Sequence, residues 1–244
     1  MPRFFIVGSN LKGPSISITG ADAEHIRVLR MRVGESLIIC DGNGTDRRCR
    51  LTRIGDGFAE AQVEETVPCP AEPSIEVTIL AGLPKGERAD YLVQKCTEAG
   101  AARIAFFLCE RCVVRLDGKS AEKKCQRWQR IAVEAAKQSG RGIIPEVQVL
   151  SSLADALDRA VKTDLPLLMY ETGERQPLRQ VLENAGSFKT AAILTGPEGG
   201  FEKYEVDLAA ATGIPACAMG PRILRCETAP VVALSAMMYA TGNL

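Results

Sequence analysis

Two stretches near the C-terminus combine residue types that chemistry needs. In Leu194-Thr195-Gly196-Pro197-Glu198-Gly199-Gly200-Phe201, three glycines fall within five residues, directly after an apolar run. Glycine lets a backbone approach a ligand closely and leaves amide N–H groups unshielded. No Lys-Ser/Thr pair follows, so this is not a Walker A loop; its spacing and late position also set it apart from the dinucleotide fingerprint. A glycine-rich turn without a ligand is the other reading of this segment. The second stretch is Met219-Gly220-Pro221-Arg222-Ile223-Leu224-Arg225-Cys226-Glu227-Thr228-Ala229-Pro230. Gly220-Pro221 makes a stiff turn, and Glu227 and Thr228 sit where a helix start favours acids and hydroxyls. Ile223 and Leu224 are apolar residues in a loop. They need cover, from an adenine ring or from neighbouring side chains.

Other chemistries find little support. The chain has 244 residues and one histidine, His25, in no nucleophile-elbow context, which weakens a Ser-His-Asp hydrolase. Its nine cysteines form an odd set with no secretory leader before them, so reduced, mostly buried thiols are expected. Cys109 and Cys112 form one CxxC, which admits redox or zinc chemistry, but no second ligand pair at matching spacing completes a tetrahedral site. No metal is expected. Net charge is zero, yet between Arg103 and Arg141 ten Lys/Arg face four acids. Such a local excess fits either a solvated helix face or a phosphate-backbone footprint. Arg27, Arg30 and Arg32 form a second basic group.

Residues 1–70 read as short strands, Arg3–Val7, Ser15–Thr19, Ser36–Cys40, Asp46–Ile54 and Phe58–Val67, with Gly and Asn/Asp turns between them. A helix from Asp22 to about Arg30 should present Ile26, Leu29 and Val33 on one side. A small β-barrel is expected. Pro68, Pro70 and Pro73 mark a stiff linker, and residues 74–244 then alternate strand and helix, predicting a mostly parallel sheet covered on both faces. The last helix, Ala229–Ala240, carries no charge on any face and must be covered on all sides; a homodimer would supply that cover. With 46% hydrophobic and 25% charged residues, no membrane span of about 20 apolar residues and no targeting segment, a cytoplasmic protein is expected.

At the two late motifs the sequence resembles a known family. GPEGG followed about 20 residues later by an LG-x-R-I-L-R-x-E-T-A pattern is similar to the signature of the methyltransferases that modify N3 of a uridine in 16S ribosomal RNA of the small subunit. Met219 replaces the leucine of that pattern. The resemblance extends over nearly the whole chain: His25-Ile26-Arg27-Val28-Leu29-Arg30 with Gly34, Lys85-Gly86-Glu87, Gln94-Lys95, Glu98 with Gly100, Glu110-Arg111-Cys112, Trp128, and Gln138-Ser139-Gly140-Arg141 with Pro145.

The resemblance implies an α/β protein with an N-terminal PUA-like β-barrel that binds RNA. A C-terminal SPOUT-type domain with a deep trefoil knot would follow, active as a homodimer with S-adenosyl-L-methionine as cofactor and uridine-1498 as the family's target. Bottom-up reasoning alone disfavours knots. By position, the cofactor would sit among Met169, Tyr170, Glu171, Leu194, Thr195, Gly196, Pro197, Gly199, Gly200, Met219, Gly220, Ile223, Leu224, Arg225, Thr228 and Ala229. Arg225 is expected to stabilise negative charge on the uracil carbonyls. Glu198 and Glu227 are proton-acceptor candidates, with helix capping or backbone bonding as their alternative role. Arg27, Arg30, Arg32, Arg111, Arg115 and Arg141 would grip RNA. Two rivals stand beside this reading: a non-catalytic RNA-binding protein, which would show no saturable cofactor binding, and a methyltransferase of the same class with another RNA target. A Rossmann-type enzyme would need a glycine motif after Ile75–Ala81, where Gly82-Leu83-Pro84-Lys85-Gly86 stands instead.

Overall fold

The computed structural model describes residues 1–6, 11, 13–115 and 117–244. They form two compact units. The first comprises residues 1–72 and 136–144, the second residues 73–135 and 145–244.

The first unit holds β1 (Arg3–Phe5), β2 (Ser15–Thr19), α1 (Gly20–Val28), β3 (Ser36–Cys40), β4 (Thr45–Gly55) and β5 (Phe58–Pro68). The strands form one sheet in the order β1-β3-β4-β5-β2, with β1 parallel to β3 and the rest antiparallel. Alternation does the sorting. Ile16 and Ile18 on β2 and Leu37 and Ile39 on β3 point inward to join Phe4, Ile26 and Leu51 in the core. Among the described residues no ladder joins β1 to β2, and Leu11 and helix α1 contribute to the core. Of the expected strand Arg3–Val7, β1 supplies the first part, and Val7 lies outside the described residues.

Helix α1 departs from expectation at its end. It stops at Val28, and Arg30 takes a left-handed φ of 55°, a conformation usually left to glycine. The helical phase is broken there. Ile26 is buried, but Leu29, at the helix end, and Val33, beyond the break, are both exposed.

Segment 136–144 belongs to this unit through buried polar contacts. Arg141 donates from Nη2 to Glu72 Oε2 at 2.7 Å, and the amides of Gly142 and Ile143 donate to Glu72 Oε1 at 2.8 and 2.9 Å. Arg3 holds Asp46 with two bonds of 2.6 and 2.8 Å. In the proline-flanked linker, the Cys69 amide donates to the Gly44 carbonyl at 2.8 Å.

The second unit contains β6 (Glu76–Gly82), α2 (Arg88–Glu98), β7 (Arg103–Phe107), β8 (Glu146–Val149), α4 (Leu153–Ala160), β9 (Leu165–Met169), β10 (Gln176–Pro177), α5 (Leu178–Asn184), β11 (Thr190–Thr195), α6 (Lys203–Ala211), β12 (Ala216–Ala218) and α7 (Ala229–Ala240). Helix α3 (Gly118–Ser139) lies between β7 and β8 in sequence. Its seven strands are all parallel, in the order β10-β12-β9-β11-β6-β7-β8. The central strands read as continuous apolar runs, such as Ala191–Leu194, because helices cover both faces. Gly100, at φ 98°, follows the end of α2 in the C′ position, where the left-handed conformation favours glycine. Helix α7 packs against α2, α5, β6 and β11, burying Ala233, Leu234, Met237 and Met238. Its other side leaves Val232 and Tyr239 exposed, the latter at 78%. No described helix is long and apolar enough to cross a membrane.

Candidate active site

In parallel sheets, ligands bind in the crevice beyond the carboxyl ends of the strands. Three neighbouring strands of the second unit, β12, β9 and β11, end together here. The chain after each one, at 170–171, 196–198 with 200, and 219–227 with 229, lines a single cavity of about 360 Å³. Both late motifs and Met169-Tyr170-Glu171 are thus brought to one place. Of the expected cofactor residues, Met169, Tyr170, Glu171, Thr195, Gly196, Pro197, Gly200, Met219, Gly220, Ile223, Leu224, Arg225 and Ala229 line it. Leu194, Gly199 and Thr228 do not. Leu194 is wholly buried within β11, Gly199 packs on Arg111, and Thr228 borders an adjacent cavity with Lys85, Gly86 and Tyr91.

The glycines are required by close approach. A Cβ on Gly196 would lie 3.0 Å from the Gly200 backbone, and one on Gly200, at φ 70°, would meet the Glu171 carboxylate at 2.7 Å. The loop closes with a hydrogen bond from the Gly200 amide to the Pro197 carbonyl at 2.9 Å. From outside, Arg111 Nη1 donates to the Gly199 carbonyl at 2.8 Å and Nε to Glu202 at 2.7 Å. Glu202 and Glu205 then cap α6 reciprocally. Thr195 is 1% exposed, and its hydroxyl is buried beside the cavity without a hydrogen-bond partner among the described residues. Buried polar atoms are nearly always paired, so this one marks a place where a ligand atom fits.

The acids are tied together by an arginine the sequence reading missed. Arg88, the first residue of α2, ion-pairs with Glu198, while its Nε lies 3.7 Å from Glu227 Oε2. A cation at a helix N-terminus opposes the helix dipole, and that misfit is the signal in the sequence that Arg88 has other work. Glu198 also accepts the Lys85 amide at 2.7 Å. Burial alone would raise its pKa, but the Lys85 amide and Arg88 outweigh burial and hold Glu198 below the usual carboxylate range. Glu227 accepts from the Cys226 thiol at 3.2 Å; burial first, and this bond next, push Cys226 up to about 12. The Arg225 side chain is exposed at the cavity and makes no ion pair among the described residues. Arg175, Cys217, Pro221, Arg222 and Cys226 complete the lining.

The six arginines expected to grip RNA divide. Arg30, Arg32 and Arg115 are exposed, and Arg27 is exposed beside Glu24 and Asp56 at 3.2 and 3.6 Å. Arg111 is engaged by the glycine loop. Arg141 stands apart from these: it is 2% exposed and paired with Glu72, so its guanidinium is closed off from solvent. Among the described residues, no cluster of three or more His, Cys, Asp or Glu could hold a metal ion.

Residues 71–238 match the model of an RNA methyltransferase domain and residues 18–64 that of an RNA methyltransferase PUA domain. The ribosomal RNA small subunit methyltransferase E of Bacillus subtilis is 37% identical, covering 100% of this chain and 98% of its own. That of Synechocystis is 32% identical over 96% of this chain and 76% of its own. The crystal structure of the Neisseria gonorrhoeae protein of the same name, bound to S-adenosylmethionine, superposes with a TM-score of 0.85 at 32% identity, covering 98% and 97% of the two chains.

Proposed function

Because the chain belongs to the ribosomal RNA small subunit methyltransferase E family, we propose that it methylates N3 of a uridine in 16S ribosomal RNA of the small subunit, using S-adenosylmethionine. The observation that carries this reading is the meeting of both late motifs and residues 169–171 around one cavity. The cavity fits the cofactor. Thr195 offers an unpartnered buried hydroxyl, and Gly196 and Gly200 leave a cradle that any Cβ would fill. Residues 169–171, 195–200 and 219–229 would hold it, with Ile223 and Leu224 as apolar cover for an adenine ring. When bound, it supplies an electrophilic methyl group on a sulfonium.

The chain's own residues do the rest. Their main task is placement, since holding two reacting atoms in line removes most of the entropic barrier. The target base leaves its stack to reach the cavity. Arg225, exposed and without an ion-pair partner among the described residues, stabilises the negative charge that spreads to the uracil carbonyl oxygens as N3 loses its proton. Glu227 accepts that proton. Glu198 is held as an anion by Lys85 and Arg88, and its role is to fix the glycine loop.

The N-terminal unit contributes RNA contacts through Arg27, Arg30 and Arg32, and Arg115 adds another. The knot that the family resemblance implies, a cytoplasmic location and a homodimer belong to the same proposal. The dimer is supported by the uncharged helix α7, whose Val232 and Tyr239 stay exposed in one chain. Tyr239→Glu should shift sedimentation from dimer to monomer; an unchanged mass would remove α7 from the interface.

The test of function uses small subunits lacking the modification, incubated with the protein and labelled cofactor, followed by nucleotide mapping. A single N3-methyluridine in 16S ribosomal RNA is expected. Arg225→Ala should lower the single-turnover rate by about 100-fold, in the range for loss of one charge-stabilising donor; a wild-type rate at saturating RNA would overturn its role. Saturable RNA binding without cofactor binding would favour the non-catalytic reading.

A further inference from the structure

The methyl-transfer reading gives no role to the two thiols of the turn Cys109–Cys112. It follows β7 directly, and its two Sγ atoms lie 3.5 Å apart, both buried (7% and 5% exposed). The Cys109 amide donates to Cys112 Sγ at 3.4 Å. The hydrogen bond from the Cys109 thiol, aided by backbone amides and by Arg115, outweighs burial and brings Cys112 down to about 7. That direction favours the thiolate, the reactive form. A surface cavity of about 290 Å³, lined by Cys109, Arg115, Ser152 and Tyr204, opens onto the Cys109 side of the pair, with Cys112 behind it at 3.5 Å. Zinc does not suit it, since no further ligand converges among the described residues.

The same turn grips the site. Between the two cysteines, the Glu110 amide donates to Glu205 at 3.0 Å, and Arg111 holds the Gly199 carbonyl and Glu202. Forming an S–S bond of about 2.0 Å draws the sulfurs together by about 1.5 Å across four residues. Arg111 stands between the two cysteines, so any backbone shift that accompanies this contraction is carried to its bonds with Gly199 and Glu202.

We propose that Cys109 and Cys112 form a reversible disulfide on exposure to peroxide, and that closing it loosens the glycine loop and weakens S-adenosylmethionine binding. The Cys112 thiolate attacks one peroxide oxygen, forming a sulfenic acid and releasing hydroxide, which takes up a proton. The Cys109 sulfur then displaces the hydroxyl from Cys112, and the Cys109 proton leaves with it as water. Two electrons pass from the dithiol to hydrogen peroxide, and two waters result. A thiol reductant restores the pair. The effect on the cofactor rests on the function proposed above; the chemistry of the disulfide does not.

The experiment treats the full-length protein with a small excess of hydrogen peroxide and maps peptides by mass. A loss of two hydrogens joining Cys109 to Cys112 is expected, absent in Cys109→Ser. Calorimetry on reduced and oxidised protein should then show cofactor affinity about fivefold weaker after oxidation, the equivalent of about one hydrogen bond, and recovered with reductant. Hydrogen exchange at 196–202 should rise in parallel. Both cysteines remaining as thiols while the protein stays folded would overturn the proposal. So would a disulfide that leaves affinity and exchange unchanged. If the reduced protein bound no S-adenosylmethionine, the function proposed above would fall, and the exchange at 196–202 would still decide this inference.

Discussion

Replacing Gly82 by alanine asks whether the position of the glycine loop makes the site, separately from its composition. Gly82 ends β6 and lines no part of the cavity, yet a Cβ there would lie 2.5 Å from Pro197 Cδ and 2.7 Å from Pro197 N. Ordinary contact begins near 3.4 Å, so Pro197 must retreat by roughly 0.9 Å, and its ring has no rotamer in which to escape. Overpacking of this kind costs about 1–3 kcal/mol, which lowers the melting temperature by several degrees. A displacement of about 1 Å in a reacting site costs about 100-fold in rate. The expected outcome is a folded variant with a modestly lower melting temperature and at least tenfold weaker cofactor affinity by calorimetry, with single-turnover methylation reduced about 100-fold. Gly118→Ala is the control, because a Cβ there meets nothing within 4 Å. Wild-type affinity and rate in a folded Gly82→Ala protein would refute the claim that loop position governs the site.

Thr195→Val removes a hydroxyl that has no partner among the described residues, so stability should hold or rise while cofactor affinity falls by about fivefold in calorimetry. Arg141→Ala should cost about 3–5 kcal/mol in chemical denaturation, because both its side chain and that of Glu72 are largely buried and one charge would be left alone. Weakened RNA binding at unchanged stability would instead restore Arg141 as a phosphate contact. Glu198 is held below its ordinary value of 4.5, so its anchoring of the loop is complete above that pH and fades as the pH falls through the lower, folded-state value. Cofactor affinity followed from neutral pH downward should drop on the acid side in the wild-type protein and stay flat in Glu198→Gln.

Much of this was legible in the residues, for identifiable reasons. The strands of both units carry their own patterns, period two around Ile16 and Ile18 and continuous apolar runs such as Ala191–Leu194. The late loops announce themselves by composition, because few residues other than glycine tolerate a neighbouring backbone at 3.0 Å. What stayed hidden is long-range. No local pattern says that Arg88 meets Glu198, 110 residues away, or that Arg141 is closed in by Glu72, 69 residues away. Strand β10 is two residues long and too short to show a period. Val33 was misplaced because the left-handed turn at Arg30 resets the helical phase, and nothing in an arginine foretells that conformation.

The membership of residues 136–144 in the first unit has a bearing on how the protein is made. Domains emerging from a ribosome ordinarily fold in order, the N-terminal one first. Here the carboxylate of Glu72 must wait for Arg141, Gly142 and Ile143, translated some seventy residues later. The N-terminal portion is therefore finished only after β6, α2 and β7 of the other portion have been synthesised. Cutting the gene once after codon 72 yields a fragment with an unanswered anion, so a faithful excision has to carry the later segment with it.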